Sequence, residues 1–186
     1  MAGLSKQLVR IVLMGLLALG TMPGGCAGAA ASDPPVEYKI KAAFLLNFAK
    51  FITWPEQAFT GQEQPFCFCV LGKNPFDGAL LPLQSRTVAK HPISIRYMQT
   101  TAETGACQVL FISKSEKDRL GSILETMNTL PVVTVSDIPG FAERGGIIEF
   151  VLRQGRLSFK INLTEARKHH LRINASLLNL ATEVIR

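Results

Sequence analysis

The sequence predicts an α/β protein, a three-layer sandwich with a largely parallel central sheet, helices on both faces and a C-terminal β-hairpin. Three observations carry that prediction. Helix and strand signals alternate along the chain. Two strand-like runs, Phe66 to Leu71 and Cys107 to Ile112, are continuously apolar, as strands covered on both faces are. Two further strand-like runs flank Arg153-Gln154-Gly155-Arg156, a hairpin signal. No internal repeat competes with this pattern.

Residues 1–31 read as a secretory signal peptide. Lys6 and Arg10 precede an uncharged apolar run, Ile11 to Leu19, followed by Pro23 and then glycines and alanines, which is the charged, apolar, small-residue order of an export signal. That run is far short of the roughly 20 residues needed to span a bilayer. Ala27-Gly28-Ala29 and Ala29-Ala30-Ala31 satisfy the small-x-small rule, so cleavage is expected after Ala29 or Ala31, leaving 32–186 as a single domain. Cys26 leaves lipidation as a second route, although Pro23 stands where lipoprotein signals usually carry leucine. The formal charge of the whole chain is +6; the leader holds Lys6, Arg10 and no acid, which leaves a mild +4. Arg153, Arg156, Lys160, Arg167, Lys168 and Arg172 make the C-terminal third basic; a nucleic-acid partner would need these to form one stripe with stacking aromatics, and export argues against it.

The first helix is predicted over Val36 to Ile52. Pro34 and Pro35 block backward extension, and Ile40, Phe44, Phe48 and Phe51 recur at spacings of four, four and three; Trp54-Pro55 ends it. Phe66 to Leu71 is a buried strand, and Asn74-Pro75 after it reads as an N-cap opening a short helix through Leu81. Ile93 to Met98 alternates as a half-buried strand should. Cys107 to Ile112 is a buried strand. A helix begins at Ser115-Glu116 and carries Leu120, Ile123, Leu124 and Met127 inward. Val132 to Val135 is another buried strand, residues 138–146 form a loop or single turn, and Ile147 to Leu152 pairs with Leu157 to Leu163. Thr164-Glu165 caps a final helical region with Leu171, Leu177, Leu178, Leu180 and Val184 on its buried face.

In parallel sheets ligands gather at the carboxyl ends of strands, here Gly72-Lys73-Asn74, Ser113-Lys114-Ser115 and Ser136-Asp137. These do not assemble into a known catalytic arrangement. The phosphate-loop framework around Lys73 is missing, and neither a G-x-S-x-G elbow nor an H-E-x-x-H helix occurs. Asp137 is expected to cap the next turn. His169 and His170 would point about 100° apart on a helix, poor geometry for a shared metal, so exposure or helix termination is expected. The reading is therefore non-enzymatic, without metal or cofactor. Small-ligand binding at the strand ends is the alternative.

Cys67, Cys69 and Cys107 remain after export, and a disulfide is the usual state of cysteines in an oxidising compartment. Cys67 and Cys69 share a face of one strand, and either could pair with Cys107. The first helix is apolar over a wider arc than one sheet contact requires. Either the domain buries it on most sides, or part of it, with Phe44, Phe48, Phe51 and Trp54, forms a partner or dimer surface.

Glu37 through Pro55, Cys69-Val70-Leu71-Gly72 with Asn74-Pro75-Phe76, Cys107-Gln108-Val109-Leu110-Phe111-Ile112-Ser113, Thr134-Val135-Ser136-Asp137, Gly140 through Gly146 and the hairpin running into Ile161-Asn162-Leu163 resemble the YfiR family of bacterial periplasmic proteins. The resemblance implies a dimer-forming α/β sandwich that binds the periplasmic sensor region of an inner-membrane signalling protein. In the family this restrains a diguanylate cyclase, keeping cyclic-di-GMP low and limiting biofilm; a sensor kinase is the other partner type. By position, Cys69 and Cys107 match the family's bridging cysteines, leaving Cys67 as an extra thiol. No cysteines match the further pair some relatives carry near the hairpin. His170 stands where many relatives have a glycine before the last helix, in keeping with a two-helix ending.

Overall fold

The computed structural model describes residues 35–61 and 63–186. The export signal, both cleavage points and Cys26 lie outside the described residues.

Helix α1 (Val36–Phe51) leads into a two-residue strand, β1 (Ile52–Thr53), and then β2 (Phe66–Leu71). After β2 come β3 (Thr87–Val88), β4 (His91–Met98), β5 (Val109–Ile112), helix α2 (Leu120–Met127) and β6 (Val133–Ser136). The chain closes with β7 (Ile148–Arg153), β8 (Arg156–Asn162), α3 (Leu163–Lys168), β9 (Arg172–Ile173), α4 (Ala175–Leu180) and β10 (Glu183–Ile185). Eight strands form one sheet in the order β10-β8-β7-β6-β5-β2-β4-β3. The run β4-β2-β5-β6-β7 is parallel throughout, whereas β8 turns back antiparallel on β7 and β10 lies parallel to β8. The architecture is mixed α/β with a mostly parallel sheet, as the alternating signals predict.

Side-chain alternation sorts the apolar residues of the central strands onto two faces. Phe66, Phe68, Val70, Val109 and Phe111 join Ala42, Leu45, Phe48 and Ala49 of α1 in one cluster. Cys67, Cys69, Leu71, Leu110 and Ile112 join Leu120, Ile123, Leu124 and Met127 of α2 in the other. All six residues of β2 are buried, which is why that strand reads as an unbroken apolar run. The Cys69–Cys107 disulfide lies in the second cluster, with Cα atoms 6.0 Å apart, and Cys67 is a buried free thiol. Strands β7 and β8 pair through Arg153↔Arg156 across a two-residue turn. Gln154 and Gly155 both have positive φ there, 50° and 74°, as the tight turn that fits twisted strands requires.

Several sequence expectations shift. No helix follows Asn74-Pro75. Asn74 Oδ1 accepts from Phe76 N at 2.9 Å, Asp77 turns left-handed with φ 47°, and the first helical turn is a 3-10 segment, Leu81–Ser85. The local side-chain turn competes with helix entry. Cys107 ends a 3-10 turn (Thr101–Ala106), so β5 begins later than predicted, and a 3-10 segment (Lys114–Arg119) precedes α2. The final helical region does end as two helices, as the resemblance implies, with the break at His170, whose φ is 58°. Asn162, not Thr164, caps α3, its Oδ1 accepting from Glu165 N at 3.0 Å. Leu171 and Leu177 are buried, but Leu180 is 67% exposed and Val184 lies on the edge strand β10.

One close approach has a testable cost. A Cβ added to Gly146 would fall within the buried Phe141 ring, on a loop closed by Gly146 N donating to Phe141 O at 2.9 Å. Gly146→Ala is expected to destabilise the fold by about 1–3 kcal/mol through overpacking. Thermal unfolding followed by circular dichroism reads this as a melting temperature several degrees lower.

Candidate functional site

The first helix determines what the protein presents at its surface. Its buried residues are Lys41, Ala42, Leu45, Phe48 and Ala49. The predicted inward stripe of Ile40, Phe44, Phe48 and Phe51 is therefore rotated. Phe48 is fully buried and Phe44 half-buried, with ring centroids 5.6 and 6.0 Å respectively from Phe150, but Ile40 is 44% and Phe51 39% exposed. Trp54 is half-buried, its Nε1 donating to Gln108 O at 3.2 Å and its ring edge-on to Phe66 at 5.0 Å. Of the four aromatics singled out from the sequence, Phe51 thus faces solvent, Phe44 does so in part, and Phe48 and Trp54 belong chiefly to the interior.

The rotation has a polar cause. Lys41, 1% exposed, places Nζ 2.5 Å from Asp137 Oδ2 at the end of β6 and 2.5 Å from Glu37 Oε1 one turn back. Tyr38 donates its phenol to the same Asp137 oxygen at 2.9 Å and lies under Lys41 Nζ, which is 4.2 Å from the ring centroid. Lys114 Nζ reaches Asp137 Oδ2 at 3.4 Å from an exposed position after β5. A buried lysine held by a buried aspartate fixes which side of α1 faces the sheet, because either charge alone would be costly there. With Lys41 turned inward, Val36, Ile40, Ala43, Asn47 and Phe51, spaced by three or four, line the outer side of α1. A groove of about 520 Å³ adjoins this face, between α1 and the Leu81–Ser85 turn, lined by Ala42, Ala43, Leu46, Ala79, Pro82 and Leu83.

Asp137 therefore does not cap the turn after β6. Ser136 does so: its Oγ accepts from Ile138 N at 3.1 Å and donates to Ile112 O at 2.7 Å. Burial alone would raise the Asp137 pKa. The hydrogen bond and charge of Lys41, aided by the Tyr38 phenol and Lys114, outweigh burial and hold the carboxyl below its usual value. Tyr38 is pushed the other way, upward, by burial and then by the Asp137 charge. Beside this network, at the carboxyl end of β6, lies a cavity of about 340 Å³ lined by Asp137, Glu149, Lys114, Phe150, Leu152 and Leu157 among others.

The other strand ends serve packing. Ser115 Oγ accepts from Lys73 N and donates to Glu116, which also pairs with Arg119. His169 is buried with Nδ1 2.6 Å from Leu130 O, while His170 is exposed at the turn. Gln108 was not singled out from the sequence, yet it ties β2 to the segment after α1. Its Oε1 accepts from Cys67 N at 2.7 Å and its Nε2 donates to Ala58 O at 2.9 Å. A lone glutamine before an apolar run gives no signal of such a role.

The fold and this surface define an α/β protein with a mostly parallel sheet, an outward apolar helix face and a buried ion network at one strand end. The chain belongs to the YfiR/HmsC-like family, whose model matches residues 38–182. Among solved structures, a conserved domain protein from Vibrio cholerae O1 biovar El Tor N16961 is similar with a TM-score of 0.55 at 13% identity. That match covers 79% of this chain and 60% of the other, so this chain spans under two thirds of that protein's length. The ABC domain in complex with L-Trp from Streptococcus pneumonia gives a TM-score of 0.45 at 12% identity, covering 64% of this chain and 55% of that one. No curated protein matches the sequence. Among the described residues, no helix is long and apolar enough to cross a membrane.

Proposed function

We propose that this chain is a periplasmic regulator that binds the sensor region of an inner-membrane signalling protein, a diguanylate cyclase in the first instance and a sensor kinase in the second. Bound, it represses the cyclase and lowers cyclic-di-GMP, which restrains biofilm formation. Family membership supports this reading, and the single observation that carries it is the outward apolar face of α1, with Val36 at 71%, Ile40 at 44% and Phe51 at 39% exposure. A run of exposed apolar side chains along one helix face is a recognised mark of an interaction surface. The same face serves a homodimer when the membrane partner is absent. Export through residues 1–31 delivers the folded 32–186 domain, soluble after cleavage, where it meets only the outer part of a membrane receptor. The fold is read as a three-layer sandwich, supported by separate apolar clusters on the two sheet faces. Regulation follows if the chain binds one state of its partner more tightly than the other, since only differential affinity shifts such an equilibrium.

The double variant Ile40→Asp/Phe51→Asp tests the face directly. Both sites are solvent-facing, so stability is expected to change by no more than about 1 kcal/mol. In a pull-down from solubilised membranes, wild-type chain is expected to retain a membrane-anchored diguanylate cyclase or kinase and the double variant to lose it at least tenfold. Equal recovery by both would sink this assignment of the surface. A second reading, a periplasmic small-ligand sensor, is favoured by the cavity beside Asp137.

A further inference from the structure

The groove beside α1 has an apolar floor and a rim of one charge sign. Lys39, Ala42, Ala43 and Leu46 form one wall, because residues three and four apart share a side of a helix. Gly78, Ala79, Pro82, Leu83 and Arg86 form the wall opposite. Ala42, Ala79 and Leu83 are 2%, 8% and 6% exposed and belong to the main apolar cluster, against which Leu46 packs. The floor is therefore the edge of the core itself, reached from solvent because the side chains at 42, 43, 78 and 79 are too short to fill the space above it. Lys39 and Arg86 are the ionisable residues of the lining, and both are cations. Neither Asp77, beside Gly78 in sequence, nor Glu37, which pairs with Lys41, lines the groove. The exposed Arg86 guanidinium has no hydrogen-bond or ion-pair partner among the described residues. A volume of about 520 Å³ has room for roughly a dozen non-hydrogen atoms at ~30 Å³ for each water-sized unit, with space left at the mouth.

We propose that this groove binds a medium-chain organic carboxylate. Its hydrocarbon chain lies along Ala42, Leu46, Ala79 and Leu83, and its carboxylate accepts from Arg86 at the rim, in the positive field that Lys39 adds from the other wall. Three features select that chemistry. The floor offers no hydrogen-bonding side chain, so the ligand body must be apolar. Both rim charges are positive, so an anionic head is attracted and a cationic one repelled. A planar guanidinium matches a carboxylate with two parallel hydrogen bonds, and at the exposed rim that head keeps most of its water. Ala43 belongs both to the groove and to the outer face of α1, so an occupied groove changes the surface that the regulatory reading gives to a partner. That consequence rests on the regulatory reading; the ligand site itself does not.

Isothermal titration of the purified exported chain at pH 7 and low salt with octanoate and with n-octylamine tests the proposal without any protein partner. The two probes share one hydrocarbon chain and differ in the sign of the head. Saturable binding of octanoate is expected, at least about fivefold tighter than that of n-octylamine, and the preference should shrink in about 1 M sodium chloride, where exposed charges are screened. Arg86→Glu leaves one charge of each sign at the rim and should abolish the preference. Ala43→Trp, at an exposed helix position, fills the groove without altering either cation and should abolish octanoate binding with the circular dichroism spectrum unchanged. No saturable binding of octanoate, equal affinity for the two probes at low salt, a preference that survives in Arg86→Glu, or binding unaffected by a folded Ala43→Trp would each overturn the proposal. Attachment to phosphatidylglycerol vesicles with no binding of octanoate would make the groove a membrane contact and overturn it as well. A failed pull-down of a membrane partner would leave all of these outcomes standing, so the two readings fail separately.

Discussion

Asp137→Ala is expected to lower the unfolding free energy by about 3–5 kcal/mol, the usual cost of removing one member of a buried ion pair. Lys41 is 1% exposed and is held by Asp137 and by Glu37, which is itself half exposed, so loss of Asp137 leaves a buried ammonium with one partner at the protein's edge. Tyr38 loses its acceptor in the same change. In a domain of this size the melting temperature should fall by roughly 10–15 °C. Replacing both charges, as Lys41→Met/Asp137→Leu, should recover most of the loss, because a well-packed apolar pair often matches a buried ion pair. If the double variant were no better than the single one, the damage would lie in packing and not in the stranded charge. The pH dependence has a definite sign. Asp137 is held below its usual carboxyl value, so its contribution is complete above the unfolded-state value near pH 4 and is lost as pH falls through the lower folded-state value. Urea unfolding between pH 7 and pH 2 should show the wild type losing stability below about pH 4 and Asp137→Ala losing less over the same range.

Removing the disulfide is the second large effect. Cys69 and Cys107 are 38 residues apart, and in the chain-entropy account closing such a loop stabilises the fold by about 4 kcal/mol. Cys69→Ala/Cys107→Ala is therefore expected to melt roughly 10 °C below the wild type. Dithiothreitol should lower the wild type by a similar amount and leave the double variant unmoved. Cys67→Ala should keep the full sensitivity to reductant, since Cys67 lies outside the bridge. Sensitivity lost with Cys67 would assign the bridge to the wrong cysteine.

Much of this was legible in the sequence, and the failures share a cause. Strand β2 was readable to the residue because both its faces are covered, so no polar residue interrupts it. The β7–β8 turn was readable because Gln154-Gly155 carries the left-handed conformation such a turn needs. Strands β1, β3, β9 and β10 were missed; each is two or three residues long, and long-range pairing such as Ile52↔Ile173 and Val184↔Ile161 defines them more than local pattern does. The orientation of α1 was misjudged because its apolar arc is wider than one sheet contact requires, so spacing alone could not choose a face. A charged residue chose it: Lys41 turns inward to meet Asp137, 96 positions along the chain. For the same reason Asp137 read as a turn cap, and the cavity beside it had no sequence signature, since a cap and a buried ion partner look alike until the tertiary contact is known.

The most direct test of the regulatory account is the cellular concentration of cyclic-di-GMP in the native host after deletion of this chain and complementation with wild type or Ile40→Asp/Phe51→Asp. The account predicts a rise on deletion, a return to the starting level with wild type, and no return with a double variant that is exported and folded to the same extent. An unchanged concentration on deletion, or full restoration by the double variant, would contradict it.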